Sequence, residues 1–332
     1  MSSRSRDRVG AGDRRGPAAW AALWVACLFV TCVAARAAED DCCGGVPATR
    51  PATAPAGGPR VIRVSADPNN LPFSNDKLEG FENKIADLIA SDLGARIEYV
   101  WRAQRRGFFR MALKEKECDL VLGVPAGFER ALTTVPYYRS GYVFVARQGS
   151  PGAAVRSLDD PALRSLKVAV QLAGDDGADT PPAHALAARH VVDNMVGFTL
   201  YGDYAEPNPP ARIVDAVARG DADVAMVWGP LAGYFAGRQP GGALELAPVT
   251  PERDPTSGLR FTFDIAMGVR RPDKAFRDEL NAVLARRQPD IDRILDVYHV
   301  PRLARETSAS RPATRSAGEA PEAKHGDGPN SR

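Results

Sequence analysis

The sequence predicts a two-lobed α/β protein with mostly parallel sheets and a hinged cleft, and three observations lead there. Short β-rich runs alternate with helical patterns of about ten residues, the rhythm of βαβ units. Runs such as Val224-Ala225-Met226-Val227 are apolar throughout, which suits strands of a sheet covered on both faces. The scheme also restarts: SLDDPALRSLKVAVQ (157–171) begins it again after the strand GYVFVARQG (141–149), and FDIAMGVRR (263–271) with two helices reads as a return to the first lobe. The chain then crosses between lobes near 147–152 and again near 250–262, and lobes joined twice form a cleft that closes by hinge motion. Lobe 1 is expected to hold 61–148 plus 262–303, and lobe 2 residues 149–261.

The elements follow in order. A strand at 61–65 runs into the Pro/Asn-rich loop ADPNNLPFSN (66–75), and Gly80 precedes an amphipathic helix over 81–93. Strands at 96–101 and 119–123 flank a helix at 107–116, and a further strand at 142–147 leads into the crossing. The second lobe is expected to contain strands at 166–171, 197–201, 223–228 and 243–248. Its helices fall at 181–190, 210–219 and 229–237. The return brings a strand at 264–270 and helices at 273–287 and 289–298.

Both ends read differently from this core. Residues 1–38 are expected to be a signal peptide: Arg4, Arg6, Arg8, Arg14 and Arg15 precede an uncharged apolar run from Ala18 to Ala35, and Ala35-Arg36-Ala37 fits a small-x-small cleavage pattern. The apolar run is also near the length of a membrane anchor, but its Ala-rich character and the cleavage pattern favour removal. Residues 39–60 (Pro, Ala, Gly, Thr) and the tail 304–332 have too few large apolar side chains to offset ordering, so they are expected to be a flexible leader and a disordered tail. The chain carries a formal +2, of which residues 1–37 supply six Arg against two Asp, so the exported form is near −2 and nothing points to nucleic acid. Cys42, Cys43 and Cys118 remain after cleavage, an odd count for an oxidising compartment. The four His have no ligand spacing and there is no CxxC, so no metal site is expected. Neither Gly-x-Ser-x-Gly nor HExxH appears, and no catalytic residue or cofactor is assigned.

Candidate binding residues come from the places where open α/β sheets put ligands, the loops beyond the carboxyl ends of the strands. Asp67, Asn70 and Phe73 lie on the first such loop, where an Asp/Asn-Pro turn holding its own backbone is the alternative role. Gln104, Arg105 and Arg106 follow the second strand at a helix start, where an Arg is unfavourable for the helix dipole and hints at a ligand or partner contact, a solvated loop being the alternative role. Arg130 is suited to hold an anion bidentately, or to sit on the surface near Glu129. Trp228 ends a strand, either facing the cleft or joining Tyr234 and Phe235 in the core. Asp175, Asp176 and Asp179 form an acidic turn that also reads as a helix cap with Pro181 following.

The phrases ADPNNLPFSN (66–75), GFENKIADLIA (80–90), AQRRGFFR (103–110), CDLVLGVPAGFERALTTVPYYRSGYVFV (118–145), DTPPAHALA (179–187), YGDYAEPNPPARIVDAVARGDADVAMVWGPLAGYF (201–235) and FDIAMGVR (263–270) give the chain a family resemblance. From 61 to about 303 it resembles type II periplasmic solute-binding proteins of the amino-acid-binding sort. Within them it is similar to the MxaJ/XoxJ branch, and more to its XoxJ side. The resemblance implies the two-lobed periplasmic binding fold and a periplasmic location. It implies as partner a PQQ-dependent methanol dehydrogenase, of the lanthanide type, which the protein would help to mature or activate by binding it. The alternative it leaves is the substrate-binding component of an importer for a small organic solute. The chain departs from amino-acid binders in three places. Arg130 stands where they hold the ligand carboxylate, but Pro125 replaces the accompanying Thr. Trp228 stands where they carry an acid for the ligand ammonium. Their Gly-Thr/Ser turn becomes Gly174-Asp175-Asp176-Gly177, which repels a carboxylate. The branch often pairs a Cys of the first strand with the Cys that begins the third; Ser65 stands at the first position here, leaving Cys118 free or paired with Cys42 or Cys43.

Overall fold

The structure, a computed structural model, describes residues 59–105, 108–114, 116–172, 179–202 and 204–304. The expected signal peptide, almost all of the leader, nearly all of the tail, Cys42, Cys43, Arg106, Asp175 and Asp176 lie outside these residues.

In chain order the elements are β1 (Arg60–Ala66), β2 (Asn69–Asn70), β3 (Ser74–Asn75), α1 (Phe81–Asp92), β4 (Ala95–Trp101), a π-helical turn (Arg110–Lys114), β5 (Leu120–Pro125), β6 (Leu132–Thr133) and β7 (Tyr138–Arg147). There follow β8 (Val168–Gln171), α2 (Pro181–Ala187), β9 (Met195–Phe198), α3 (Arg212–Arg219), β10 (Val224–Trp228), α4 (Gly229–Ala236), β11 (Leu244–Pro248), β12 (Thr262–Val269) and α5 (Lys274–Val297). The main sheet runs β4-β1-β5-β12-β7-β10-β8-β9. Its two flanks, β4-β1-β5 and β10-β8-β9, are the expected parallel portions. The sheet is nonetheless mixed, because β12 and β7 run antiparallel to their neighbours and join the flanks.

β7 is the shared strand. Tyr138–Gly141 pairs with β12 while Tyr142–Arg147 pairs with β10 and β11, so one ten-residue strand serves both flanks. The expected strand at 142–147 covers only the second of these segments. The first segment was missed because Tyr138-Arg139-Ser140 lacks the apolar run of a covered strand; Arg139 is buried there by ion pairs with Glu252 and Asp264 at 2.8 and 3.2 Å. One apolar core lies under the β1 flank, built on Ile62, Phe81, Ile85, Leu120, Tyr137, Met267 and α5. Others lie on the two sides of the β10 flank, around Phe144, Leu163 and Leu186 and around Ile213, Val227 and Phe235.

The helix expected over 107–116 is present through the described residues 108–114, ends in the π-helical turn and packs Phe108, Phe109 and Leu113 around Cys118. One expectation is corrected. The two helices expected around Pro289 are one helix, α5, with Pro289 inside it. Leu280, Val283 and Leu284 before the proline and Ile291 and Leu295 after it are buried in the same core. At roughly 1.5–3 kcal/mol for each buried aliphatic side chain, this face outweighs the ~3 kcal/mol that an interior proline costs.

Candidate functional site

The loop after β1 is built by its own polar side chains. Asp67, buried, accepts the Asn69 N–H at 2.9 Å and the Gln104 N–H at 2.7 Å, so one carboxylate fastens the first loop to the loop after β4. Asn70 donates from Nδ2 to Gln104 Oε1 at 2.7 Å, a second tie between the same loops. The loop then caps α1: the N–H groups of Phe81 and Glu82 reach the carbonyls of Pro72 and Phe73 at 2.8 and 2.9 Å. Asn83 Oδ1 accepts the N–H of Gly80 and of Asn75, each at 3.1 Å. Gly80 is required here, because a Cβ on it would lie 2.1 Å from the Phe73 carbonyl oxygen. The same loop also reaches the other flank. Asn69 donates to the Glu206 carbonyl at 2.8 Å and accepts from the Asn208 N–H at 3.1 Å, and Leu71 is buried among Val143, Val227 and Leu231.

These ties hold one side of a cavity of about 300 Å³. Its walls come from both flanks of the sheet: Phe73 and Glu82 from the first loop and α1, Gly123 and Pro125 from β5, Tyr138 and Tyr142 from β7, Trp228 from β10, and Phe263 and Ile265 from β12. Gln104, Phe109, Phe128, Gln171, Thr180, Pro181 and Tyr201 complete the lining among the described residues. Trp228 stands between two rings at steep angles, Tyr142 at 5.4 Å and Phe263 at 5.9 Å, both inclined by 65°. Phe109 and Phe128 meet at 4.8 Å and 57°. Rings so inclined form concave walls rather than a flat stack.

Among the described lining residues Glu82 is the one carboxylate, and no Lys, Arg or His accompanies it. It stands in the first turn of α1 beside Gly123, close enough that a Cβ on Gly123 would lie 2.4 Å from Glu82 Oε1. Burial, with no charged partner to oppose it, pushes the Glu82 carboxyl up to about 8. Asp67 is also pushed up by burial, but its backbone hydrogen bonds and Arg105 pull against the rise.

The residues singled out in the sequence separate into groups. Phe73, Gln104 and Trp228 line the cavity, and Asp67 and Asn70 stand behind it as ties between loops. Arg105 donates to the Gly202 carbonyl and lines an adjoining hollow with Tyr201, Phe198 and Arg212. Arg130 is exposed and outside the described lining, although Phe128, two residues earlier, is part of it. Tyr234 and Phe235 are buried in the core under the β10 flank. Asp179 is exposed beside α2, with His184 Nε2 at 4.0 Å. Cys118 is a free thiol, fully buried, donating to the Ala112 carbonyl at 3.2 Å. The sequence reading missed Glu82, Tyr138, Tyr142 and Phe263. Glu82 had a local signal: an acid in the first turn of a helix whose preceding loop was already a candidate. The aromatic positions on β7 and β12 had none, since only strand pairing brings them together.

The comparisons agree with this architecture. Residues 62–300 match the family of bacterial extracellular solute-binding proteins, family 3. Protein MoxJ of Methylorubrum extorquens AM1 is 32% identical over 300 residues, covering 87% of this chain and 96% of that protein. The crystal structure of the periplasmic binding protein XoxJ from Methylobacterium extorquens AM1 is 34% identical, with a TM-score of 0.59, over 74% of this chain and 100% of that one. That of MxaJ from Methlophaga aminisulfidivorans MPT is 26% identical, with a TM-score of 0.63, over 73% of this chain and 100% of that one. No helix among the described residues is long and apolar enough to cross a membrane. With a type II periplasmic binding fold, a cavity walled by both flanks of its sheet and a family match across the whole ordered core, the chain belongs to the family 3 bacterial extracellular solute-binding proteins.

Proposed function

We propose that this protein is a periplasmic accessory of a PQQ-dependent methanol dehydrogenase of the lanthanide type, aiding its maturation or activation by binding it. The observation that carries this reading is the lining of the cavity. An α-amino acid needs a cation for its carboxylate and an anion for its ammonium. Arg130 is outside the described lining, and Trp228 occupies the place where the resemblance puts the acid. The scaffold of an amino-acid carrier thus lacks an amino-acid clamp among its described residues, while its similarity to MoxJ, XoxJ and MxaJ extends over most of the chain. Arg105 and Arg130 are exposed near the cavity lining and offer charge to a partner surface.

The test is complex formation between the mature chain and the dehydrogenase of its own host, measured in both the metal-free and the metal-loaded state. A specific complex is expected, with Arg105→Glu and Arg130→Glu together weakening it about tenfold or more. No complex with either state removes the reading. The second reading, a carrier for a small organic solute, draws on the cavity itself, and it predicts a thermal shift with that solute in the absence of any protein partner.

A further inference from the structure

The cavity combines three features that the docking role does not use. Its walls are aromatic from several sides: Phe73, Tyr138, Tyr142, Trp228 and Phe263 all line it. Its one described carboxylate, Glu82, has no hydrogen-bond or ion-pair partner among the described residues. No cationic side chain of the described lining competes for that carboxylate. The faces of aromatic rings carry negative potential and attract a cation within about 6 Å. Glu82 is half-buried, and a partly desolvated carboxyl without a partner carries a free-energy cost that a ligand of complementary charge recovers.

We propose that the interior of the cavity is a binding site for a small alkylated ammonium ion, with the aromatic rings around its substituents and Glu82 as its counter-ion. The choice among ligand classes follows from the lining. An anion or a zwitterionic amino acid has no described base to meet its carboxylate. A neutral apolar ligand leaves the Glu82 carboxyl buried and unpaired. An alkylated ammonium presents methyl or methylene groups to the rings and its charge to the carboxyl. A strongly hydrated bare ammonium gains less, because aromatic walls cannot replace its hydrogen bonds to water. A volume of about 300 Å³ has room for a small alkylated ammonium ion.

The protonation of Glu82 gives the site a pH dependence. The titratable groups near it are Tyr137 and Tyr138 at the start of β7 and Tyr99 on β4, all neutral and all pushed upward by burial, Tyr99 to about 12. Glu82 therefore titrates without a nearby base. With its carboxyl pushed up to about 8, it holds a proton in the empty site at neutral pH, and a cation must displace that proton. Affinity rises as pH increases toward 8.

The experiment is titration calorimetry of the mature chain with choline and with tetramethylammonium, beside 3,3-dimethyl-1-butanol, the uncharged isostere of choline. Saturable binding of at least one cation is expected, strengthening between pH 6 and pH 8. Binding should be weaker by about tenfold or more for the isostere on the wild-type chain, and for the cation on Glu82→Gln and Trp228→Ala. No saturable binding of either cation, equal binding of the isostere, or an unchanged affinity in Glu82→Gln each overturns the proposal. The isostere comparison uses the wild-type chain alone, so it stands if a variant folds poorly. Complex formation with the dehydrogenase is a separate readout, and failure of the ammonium site leaves it untouched.

Discussion

Two acids of this protein have their carboxyls shifted in opposite directions by their surroundings. Asp254, on the connection between β11 and β12, is 1% exposed and fully partnered. Arg189 reaches it through two nitrogens at 2.7 and 3.1 Å, and the N–H groups of Thr256 and Ser257 and the Ser257 hydroxyl also donate to it. These bonds, the Arg189 guanidinium first, hold its carboxyl well below the usual carboxylate range. Glu82 has none of this, and burial pushes it the other way. The difference separates structure from function: where the fold needs a buried charge, the chain supplies its partners, and where it leaves one unpaired against a cavity, the partner is expected from outside.

The largest effect should come from breaking the satisfied site. Arg189→Met leaves Asp254 buried with hydroxyl and N–H donors but no cation, at an expected cost of roughly 3–5 kcal/mol in unfolding free energy. Denaturant titration at pH 7 checks it, and a loss under about 1 kcal/mol would mean that the pair is a surface bridge in disguise. The pH dependence has a definite sign. The folded-state pKa of Asp254 is depressed, so its contribution is present above the ordinary carboxylate range and is lost as pH falls through the folded value. Arg189→Met should flatten that acid limb.

A smaller effect is expected on the cavity side. Gly80→Ala puts a methyl group 2.1 Å from the Phe73 carbonyl oxygen, so the loop must move away from α1. Overpacking of this kind costs about 1–3 kcal/mol. Because Phe73 lines the cavity, any ligand affinity should fall together with stability. An unchanged melting temperature would show that the loop is not fixed by this contact.

Glu82→Gln sharpens the comparison in the reverse direction. The folded carboxyl is raised to about 8 from an ordinary 4.5, so the folded state keeps a proton that the unfolded chain releases in that window. Wild-type stability therefore declines as pH rises from 4.5 toward 8, and above 8 the penalty stays constant. Glutamine never ionises. The variant should lose less stability than the wild type as pH rises from 5 to 8.5, so its melting temperature gains on the wild type across that window. Parallel pH profiles for the two chains would show that Glu82 is ionised and solvated in the folded protein.

Much of the fold was legible in the sequence, because each flank is a set of local βα patterns whose apolar periodicity is strong. β1, α1, β4, β10, α4 and β11 begin and end within about two residues of their expected positions. What was not legible depends on distant partners. Arg139 reads as a polar residue, yet Glu252 and Asp264 bury it inside β7. Pro289 reads as a break, yet the core on both sides of it keeps α5 whole. The site divides along the same line. Phe73, Gln104 and Trp228 were found because they follow strands, as ligand loops do. Tyr142 and Phe263 were not, because only the β7–β12 pairing places them beside Trp228.

Cys118 gives the smallest expected effect and a third case for the comparison. Its thiol is buried like the Asp254 carboxyl, and burial pushes its pKa up to about 11. It resembles Asp254 in having a partner, the Ala112 carbonyl, and it is enclosed by Phe108, Phe109 and Leu113 with no surface of its own. A thiol that is both protonated and covered is a poor nucleophile. A maleimide or disulfide reagent should therefore leave Cys118 unmodified in the folded chain at pH 7.5, and modify it only as fast as the protein unfolds. Cys118→Ser should leave ligand affinity unchanged. Rapid labelling of Cys118 under native conditions, read by mass spectrometry of the peptide that carries it, would show that the turn over Phe108 and Phe109 opens, and with it the aromatic wall that Phe109 contributes to the cavity.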